Sequence, residues 1–220
     1  MTDAAISDAL AQRNVTEILH FTTSNGFIGT MTTGSLLSHA RLPSENKLAH
    51  ILQINCKDRS RDADWHGYVN LSVSRINGSF FSIARDRWHA AKDIYWCILS
   101  FDASIAEHPG VVFSTTNNAY PYTVRAPGID GLESLFAPKV RQFADKWVFR
   151  SKEMLSNQTT CHQAELLYPE AVSLDYLRKV YFPSGDIADE ASAQLGVCAP
   201  HLIGKFELEV NPMLFGERQA

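Results

Sequence analysis

The eight residues Ile94 to Phe101 (Ile-Tyr-Trp-Cys-Ile-Leu-Ser-Phe) carry no charge, no glycine and no proline. A run this short, rich in aromatic and β-branched side chains, reads as a buried strand rather than a helix. It falls far below the ~18–20 apolar residues that cross a bilayer, so the rest of the chain has to cover it. The covering elements follow no regular order. Residues 3–13 read as a short amphipathic helix with Ile6, Ala9 and Leu10 on one side, and Glu17 to Thr22 as a strand. Ser24 or Asn25 reads as the cap of a helix that runs through Met31 and is ended by Gly34, and Ser35 to Leu37 as an extended piece. Residues 40–67 form a long polar excursion with an apolar patch at Leu48 to Ile54, and excursions of that length are often functional.

Tyr68–Val73, Val111–Phe113, Ala164–Tyr168, Val180–Phe182 and Phe206–Val210 read as further strands. Gly78–His89, Ile129–Phe136, Val140–Phe149 and Ile187–Leu195 read as helices, with Gly196 suited to end the last. Six or seven short strands with interspersed helices make an α+β pattern. Regular β–α alternation is missing, and so is a glycine-rich strand-to-helix turn, which argues against a Rossmann or P-loop fold.

At 220 residues the chain suits one sizeable domain. Four cysteines (Cys56, Cys97, Cys161, Cys198) lie far apart without a Cys-x-x-Cys pair, a pattern that fits neither a zinc site nor a disulfide scaffold. The first thirty residues carry Asp3, Asp8, Arg13 and Glu17 and no apolar core, so no secretory leader, no membrane anchor and a cytoplasmic location are expected. Net charge is -4, yet Lys139 to Lys152 holds five basic residues against one acid, and Lys57, Arg59 and Arg61 cluster as well. Basic surface on an acidic protein suits a phosphate-bearing partner; a solvated face is the plainer alternative.

Three places can carry chemistry. At Gln163-Ala164-Glu165 a polar, loop-like run delivers a carboxylate to the lip of an apolar strand, where a charge is costly without a task or a partner. Gln163 would share the face of Glu165 if extended geometry begins there. His20-Phe21-Thr22 ends a strand and can offer imidazole and backbone groups to a sugar and an amide; a backbone-bonded structural histidine is the alternative. In Asn70-Leu71-Ser72-Val73-Ser74-Arg75, alternation puts Asn70, Ser72 and Ser74 on one face, and Arg75 at the strand end can grip a pyrophosphate or serve as a surface arginine.

With these segments in order, roughly from residue 15 to 185, the chain resembles the DarT family of bacterial toxins, which ADP-ribosylate bases in single-stranded DNA using NAD. Leu19-His20-Phe21-Thr22 is similar to the family's opening His-x-Thr strand, and Gly34-Ser35-Leu36-Leu37-Ser38-His39 to its Gly-x-Leu-Leu-x-His. Val112 to Asn117 resembles a Phe-Thr-Asp/Asn segment, and Gln163-Ala164-Glu165 the catalytic glutamate motif. Tyr68 to Arg75 falls where the family has a strand ending in an arginine, but lacks the Pro-Phe-Tyr-Phe…Arg-Ser-Pro-Met pattern of the thymidine-modifying branch. That departure favours the guanine-modifying branch.

The resemblance implies a single-domain, α+β ADP-ribosyltransferase-like fold with a split central β-sheet core and surrounding helices. Residues 40–67 would be a loop covering NAD, and 150–164 the loop that recognises the target. Glu165, Arg75 and His20 would be catalytic. NAD, as co-substrate and without a metal, would contact His20, Phe21, Thr22, Leu37, His39, Asn70, Ser72, Arg75 and Arg59. Arg150, Lys152, Asn157, Gln158, His162 and Gln163 would meet single-stranded DNA, Arg150 and Lys152 at its phosphates. A paired antitoxin glycohydrolase that removes ADP-ribose is expected. The rival readings are transfer to protein, RNA or a small molecule, a non-catalytic nucleic-acid-binding module, and a cysteine hydrolase using Cys97 or Cys161.

Overall fold

The computed structural model describes residues 4–42, 64–88, 90 and 93–216; most of the expected NAD-covering loop, including Arg59, lies outside them. The chain opens with α1 (Ala4–Gln12), β1 (Glu17–Thr23), α2 (Ser24–Thr33) and β2 (Ser35–Leu37). It continues through β3 (Tyr68–Val73), α3 (Gly78–Ile83), β4 (Trp96–Asp102), β5 (Val112–Ser114), β6 (Arg125–Pro127) and α4 (Gly128–Ser134). Then come β7 (Lys139–Phe143), β8 (Lys146–Phe149), β9 (Glu165–Pro169), β10 (Ala171–Ser173), β11 (Leu177–Phe182), α5 (Gly185–Cys198) and β12 (Glu207–Val210). No helix among the described residues is long and apolar enough to cross a membrane.

Eight strands form one sheet in the order β12-β11-β4-β1-β3-β9-β5-β6. The unbroken apolar run explains itself at β4, which is covered on both faces. Cys97, Leu99 and Phe101 join the large core under α1, α2, α4 and α5, whereas Trp96 and Ile98 pack with Phe81, Tyr181 and Phe215 on the opposite side. A strand covered on both faces has no position for a polar side chain without a partner. Ser100 meets that requirement, its hydroxyl donating to Glu17 Oε2 at 2.7 Å.

The sheet is split at its middle. β3 pairs with β9 from Tyr68 to Leu71, but with β1 only at Ser72 and Val73. Beyond Leu19, therefore, β1 and the first half of β3 part company. The gap is bridged by the ring of His20, whose Nδ1 donates to the Asn70 carbonyl at 3.0 Å.

Local signals placed most elements. α2 starts one residue earlier than expected, because the Thr23 side chain, not that of Ser24 or Asn25, accepts from the Gly26 amide; Gly34 ends it in the left-handed region at φ 72°. α5 runs past Gly196 to Cys198, held by the buried Leu195 and Ala199, between which a terminal N–H···O bond forms.

The segment 140–149 is not a helix. It is the β7–β8 hairpin, with Val140 and Gln142 buried and Lys139 and Phe143 outward. Ala144, at φ 42°, turns the chain. Val140, Ala144 and Val148 recur every four residues and imitate a helix face, but the β-forming Val, Phe and Trp and the inward Gln142 settle the strand. β6 and β10, three residues each, were too short to leave a pattern.

Gly131 is where α4 is pressed onto β6. A Cβ there would stand 2.1 Å from the Ala126 carbonyl oxygen and 3.0 Å from the Phe113 ring. Gly131→Ala is expected to cost roughly 1–3 kcal/mol, lowering the thermal midpoint by several degrees; an unchanged midpoint would contradict this packing.

Candidate active site

Glu165 is the first residue of β9, and the ladders put three strands on one rung there. Ser114 of β5 pairs with Glu165 on one side and with Arg125 of β6 on the other. Directly paired residues point to the same face, so the carboxylate and the guanidinium share it. Glu165 Oε2 accepts from the Asn70 side-chain amide at 3.1 Å and from the Asn118 backbone N–H at 2.7 Å. Arg125 in turn grips Asn118, donating from Nε to its side-chain oxygen at 2.6 Å and from Nη2 to its carbonyl at 2.5 Å. Burial lowers the Arg125 pKa, and the charge of Glu165 opposes that shift. A half-buried carboxylate is thus held in one orientation by a side chain and a braced loop.

Two clefts meet at the split in the sheet. The larger, about 880 Å³ counted out to its open mouth, is lined by His20, Thr22, Gly26, Leu37, His39 and Asn70, among others. The smaller, about 550 Å³, is lined by His20, Phe21, Asn70, Ser72, Phe80 and Glu165, among others. His20 and Asn70 belong to both walls. Phe21 faces away from Thr22 along the strand and packs against Phe80, Phe81 and Trp96, yet still reaches the smaller cleft. His39 lies against His66, ring centroids 4.6 Å apart.

Arg75 does not line either cleft as expected. Ser74 takes φ 58°, which turns the chain out of the strand, and Arg75 Nη2 donates to the Thr159 carbonyl at 3.2 Å. It braces the 150–164 loop. Arg150 is likewise engaged within this loop rather than presented to phosphate, donating to the carbonyls of Gln158 at 2.6 Å and Leu155 at 2.9 Å. Gln158 accepts from the Leu155 amide. Lys152 is exposed. Gln163 lies in a turn closed by Ala164 N–H to the Cys161 carbonyl, so alternation does not carry it onto the Glu165 face. Its Oε1, the Asn157 Oδ1 and the Arg75 Nε are buried with no hydrogen-bond partner among the described residues.

The model of the family described as "ssDNA thymidine ADP-ribosyltransferase, DarT" matches residues 19–215. The chain belongs to the DarT family. Among solved structures, it is similar to Thermus sp. 2.9 DarT in complex with NAD+ at 14% identity and TM-score 0.63, over 91% of this chain and 97% of that one. The same Thermus protein in complex with ADP-ribosylated ssDNA matches at 15% identity and TM-score 0.60, over 92% and 97%. Thermosipho africanus DarTG in complex with ADP-ribose matches at 13% and 0.59, over 91% of this chain and 51% of that one. At these identities the likeness establishes the fold. No curated protein matches the chain.

As a DarT-family member the chain is an NAD-dependent ADP-ribosyltransferase, and the cysteine-hydrolase alternative loses its footing. Cys97 is fully buried, with its thiol pKa pushed up by burial. Cys161 is buried too, its Sγ against the Thr116 hydroxyl at 3.4 Å. Asn118 and Arg125 are the residues around Glu165 that the sequence did not reveal. Asn118 stands one position past the Val112–Asn117 motif and acts through its backbone N–H, while Arg125 is brought over by a three-residue strand.

His162 gives the 150–164 loop a pH dependence. Its Nε2 meets the Ser79 hydroxyl at 3.2 Å. Burial first, then the positive charges of Arg75 and Lys146, lowers its pKa below the ordinary 6.5. The unfolded chain therefore binds this proton more readily than the folded one. The stability it contributes is complete above pH ~6.5 and is lost as pH falls through the lower folded value. His162→Gln is expected to flatten the fall of the thermal midpoint below pH 6.5; identical profiles would contradict the assignment.

Proposed function

We propose that this DarT-family chain transfers ADP-ribose from NAD to a base of single-stranded DNA, with Glu165 as the catalytic carboxylate. The observation that carries the reading is the fixed Glu165 at the mouth of a cleft whose other wall is His20 and Asn70. His20, Thr22, Leu37 and His39 line a hollow suited to the dinucleotide, and Ser72 and Phe21 extend it toward Glu165.

The chemistry follows from that arrangement. The bond from the ribose anomeric carbon to the nicotinamide nitrogen breaks, its electron pair leaving with nicotinamide. The carboxylate of Glu165 stabilises the positive charge that develops on the ribose and orients its hydroxyls. A base nitrogen forms the new bond to the anomeric carbon, and its proton passes to Glu165. A neutral base nitrogen is a weak nucleophile, so positioning supplies much of the rate. Single-stranded DNA spares most of the cost of unstacking the target.

The 150–164 loop is the candidate reader of that base. Buried amide oxygens on Asn157 and Gln163 without partners are costly unless a bound group meets them. His162 sits beside them, and Lys152 remains exposed for phosphate. Arg75, through Thr159, holds this loop in place rather than gripping pyrophosphate. Guanine is the favoured acceptor, because Tyr68 to Arg75 departs from the thymidine-modifying pattern; the family description names thymidine. A paired antitoxin glycohydrolase completes the reading, supported by the resemblance and by the match to about half of a DarTG chain.

Glu165→Gln is expected to reduce transfer by ~10²–10⁴-fold while NAD affinity stays within a few-fold; undiminished transfer would remove Glu165 from the chemistry. Mass spectrometry of an oligonucleotide holding all four bases is expected to place one ADP-ribose on guanine. A label on thymine would reverse the acceptor assignment and leave the role of Glu165 intact.

A further inference from the structure

The β7–β8 hairpin lies outside the main sheet and plays no part in the chemistry above. Its register pairs Lys139 with Phe149, Arg141 with Trp147 and Phe143 with Lys146. Paired residues sit beside each other, so each of these rungs sets one cation beside one aromatic ring, with a register shift between Arg141 and Phe143. The rings are open to solvent, Phe143 at 42%, Trp147 at 45% and Phe149 at 67% exposure. The cations lie on rings rather than away from them, Lys139 over Trp147 and Lys146 over Phe143. Arg141 covers Tyr122 at 3.9 Å, itself 45% exposed. Three exposed aromatics on one short hairpin are costly to leave in water, and alternating them with cations is the chemistry that receives stacked bases and their phosphates.

The hairpin is tied to the site at both ends. At its base, Arg150 N–H donates to the Pro138 carbonyl and the Thr160 hydroxyl to the Ala137 carbonyl, which joins it to the 150–164 loop. At its tip, Phe143 packs on Tyr120 in the loop whose Asn118 holds Glu165. Asp145 is the acid that stands at the turn, 3.8 Å from Arg141. We propose that the outer face of the β7–β8 hairpin is a stacking platform for the nucleotides of single-stranded DNA that flank the target base.

The proposal rests on single-stranded DNA being the acceptor, and its test separates the two. Binding of the full chain to an oligonucleotide of about twenty nucleotides and to one of about five, spanning little more than a target, is measured by fluorescence anisotropy. Nicotinamide release and transfer to the short oligonucleotide are followed alongside. Trp147→Ala and Phe149→Ala are expected to weaken binding of the long oligonucleotide roughly tenfold or more. Short-oligonucleotide binding and nicotinamide release should be unchanged, and Trp147→Phe should restore long-strand affinity. Both side chains are exposed, so unchanged thermal midpoints verify that the variants fold. Long-strand affinity that ignores both alanine variants, or falls equally for the two lengths, overturns the platform. If the unaltered protein transfers to no DNA, the functional reading fails, and the binding comparison still decides whether the hairpin holds single strands.

Discussion

Asn70 joins the two halves of the molecule. Its carbonyl accepts the Nδ1–H of His20 across the gap between β1 and β3, and its side-chain amide donates to Glu165 on β9. One residue thus fixes the tautomer of the imidazole and shares with the Asn118 N–H the orientation of the carboxylate. The split follows from β1 and β3 keeping only two paired residues. Without the divergence there would be no cleft, and the Asn70 bridge links its two walls.

Behind that bridge lies a second layer. Arg125 spends two donors on Asn118, whose N–H meets Glu165. Gly131 lets α4 press on β6 closely enough to set Arg125 on its rung. A substitution in that helix would therefore be felt at the carboxylate through packing alone, although the helix touches neither the carboxylate nor the clefts. Such support is what preorganised electrostatic stabilisation requires, since a carboxylate that must reorient during reaction loses much of its effect.

The sequence carried much of this. Glu165 and His20 stood out as polar side chains at the ends of apolar strands, and Asn70 and Ser72 through alternation along one strand; all four line one cleft. Arg75 stood out as the residue that ends its strand, but the left-handed Ser74 turns the chain there and Arg75 meets the Thr159 carbonyl. Asn118 left no signal, since a backbone N–H has no side chain to read. Arg125 depends on strand register, which forms only in three dimensions. The β7–β8 hairpin was hidden by a four-residue recurrence of small apolar residues, and it resolves into a sheet face where cations and aromatic rings alternate.

The most direct test of the account is the single-turnover rate of nicotinamide release from saturating NAD, with single-stranded DNA present, in Asn70→Ala against the unaltered chain. Losing the amide frees Glu165 from one donor and leaves part of its buried charge unmet, at about 1–3 kcal/mol. The account predicts a fall of roughly ten- to a hundredfold. A rate indistinguishable from that of the unaltered chain would contradict the claim that Asn70 holds the reacting carboxylate.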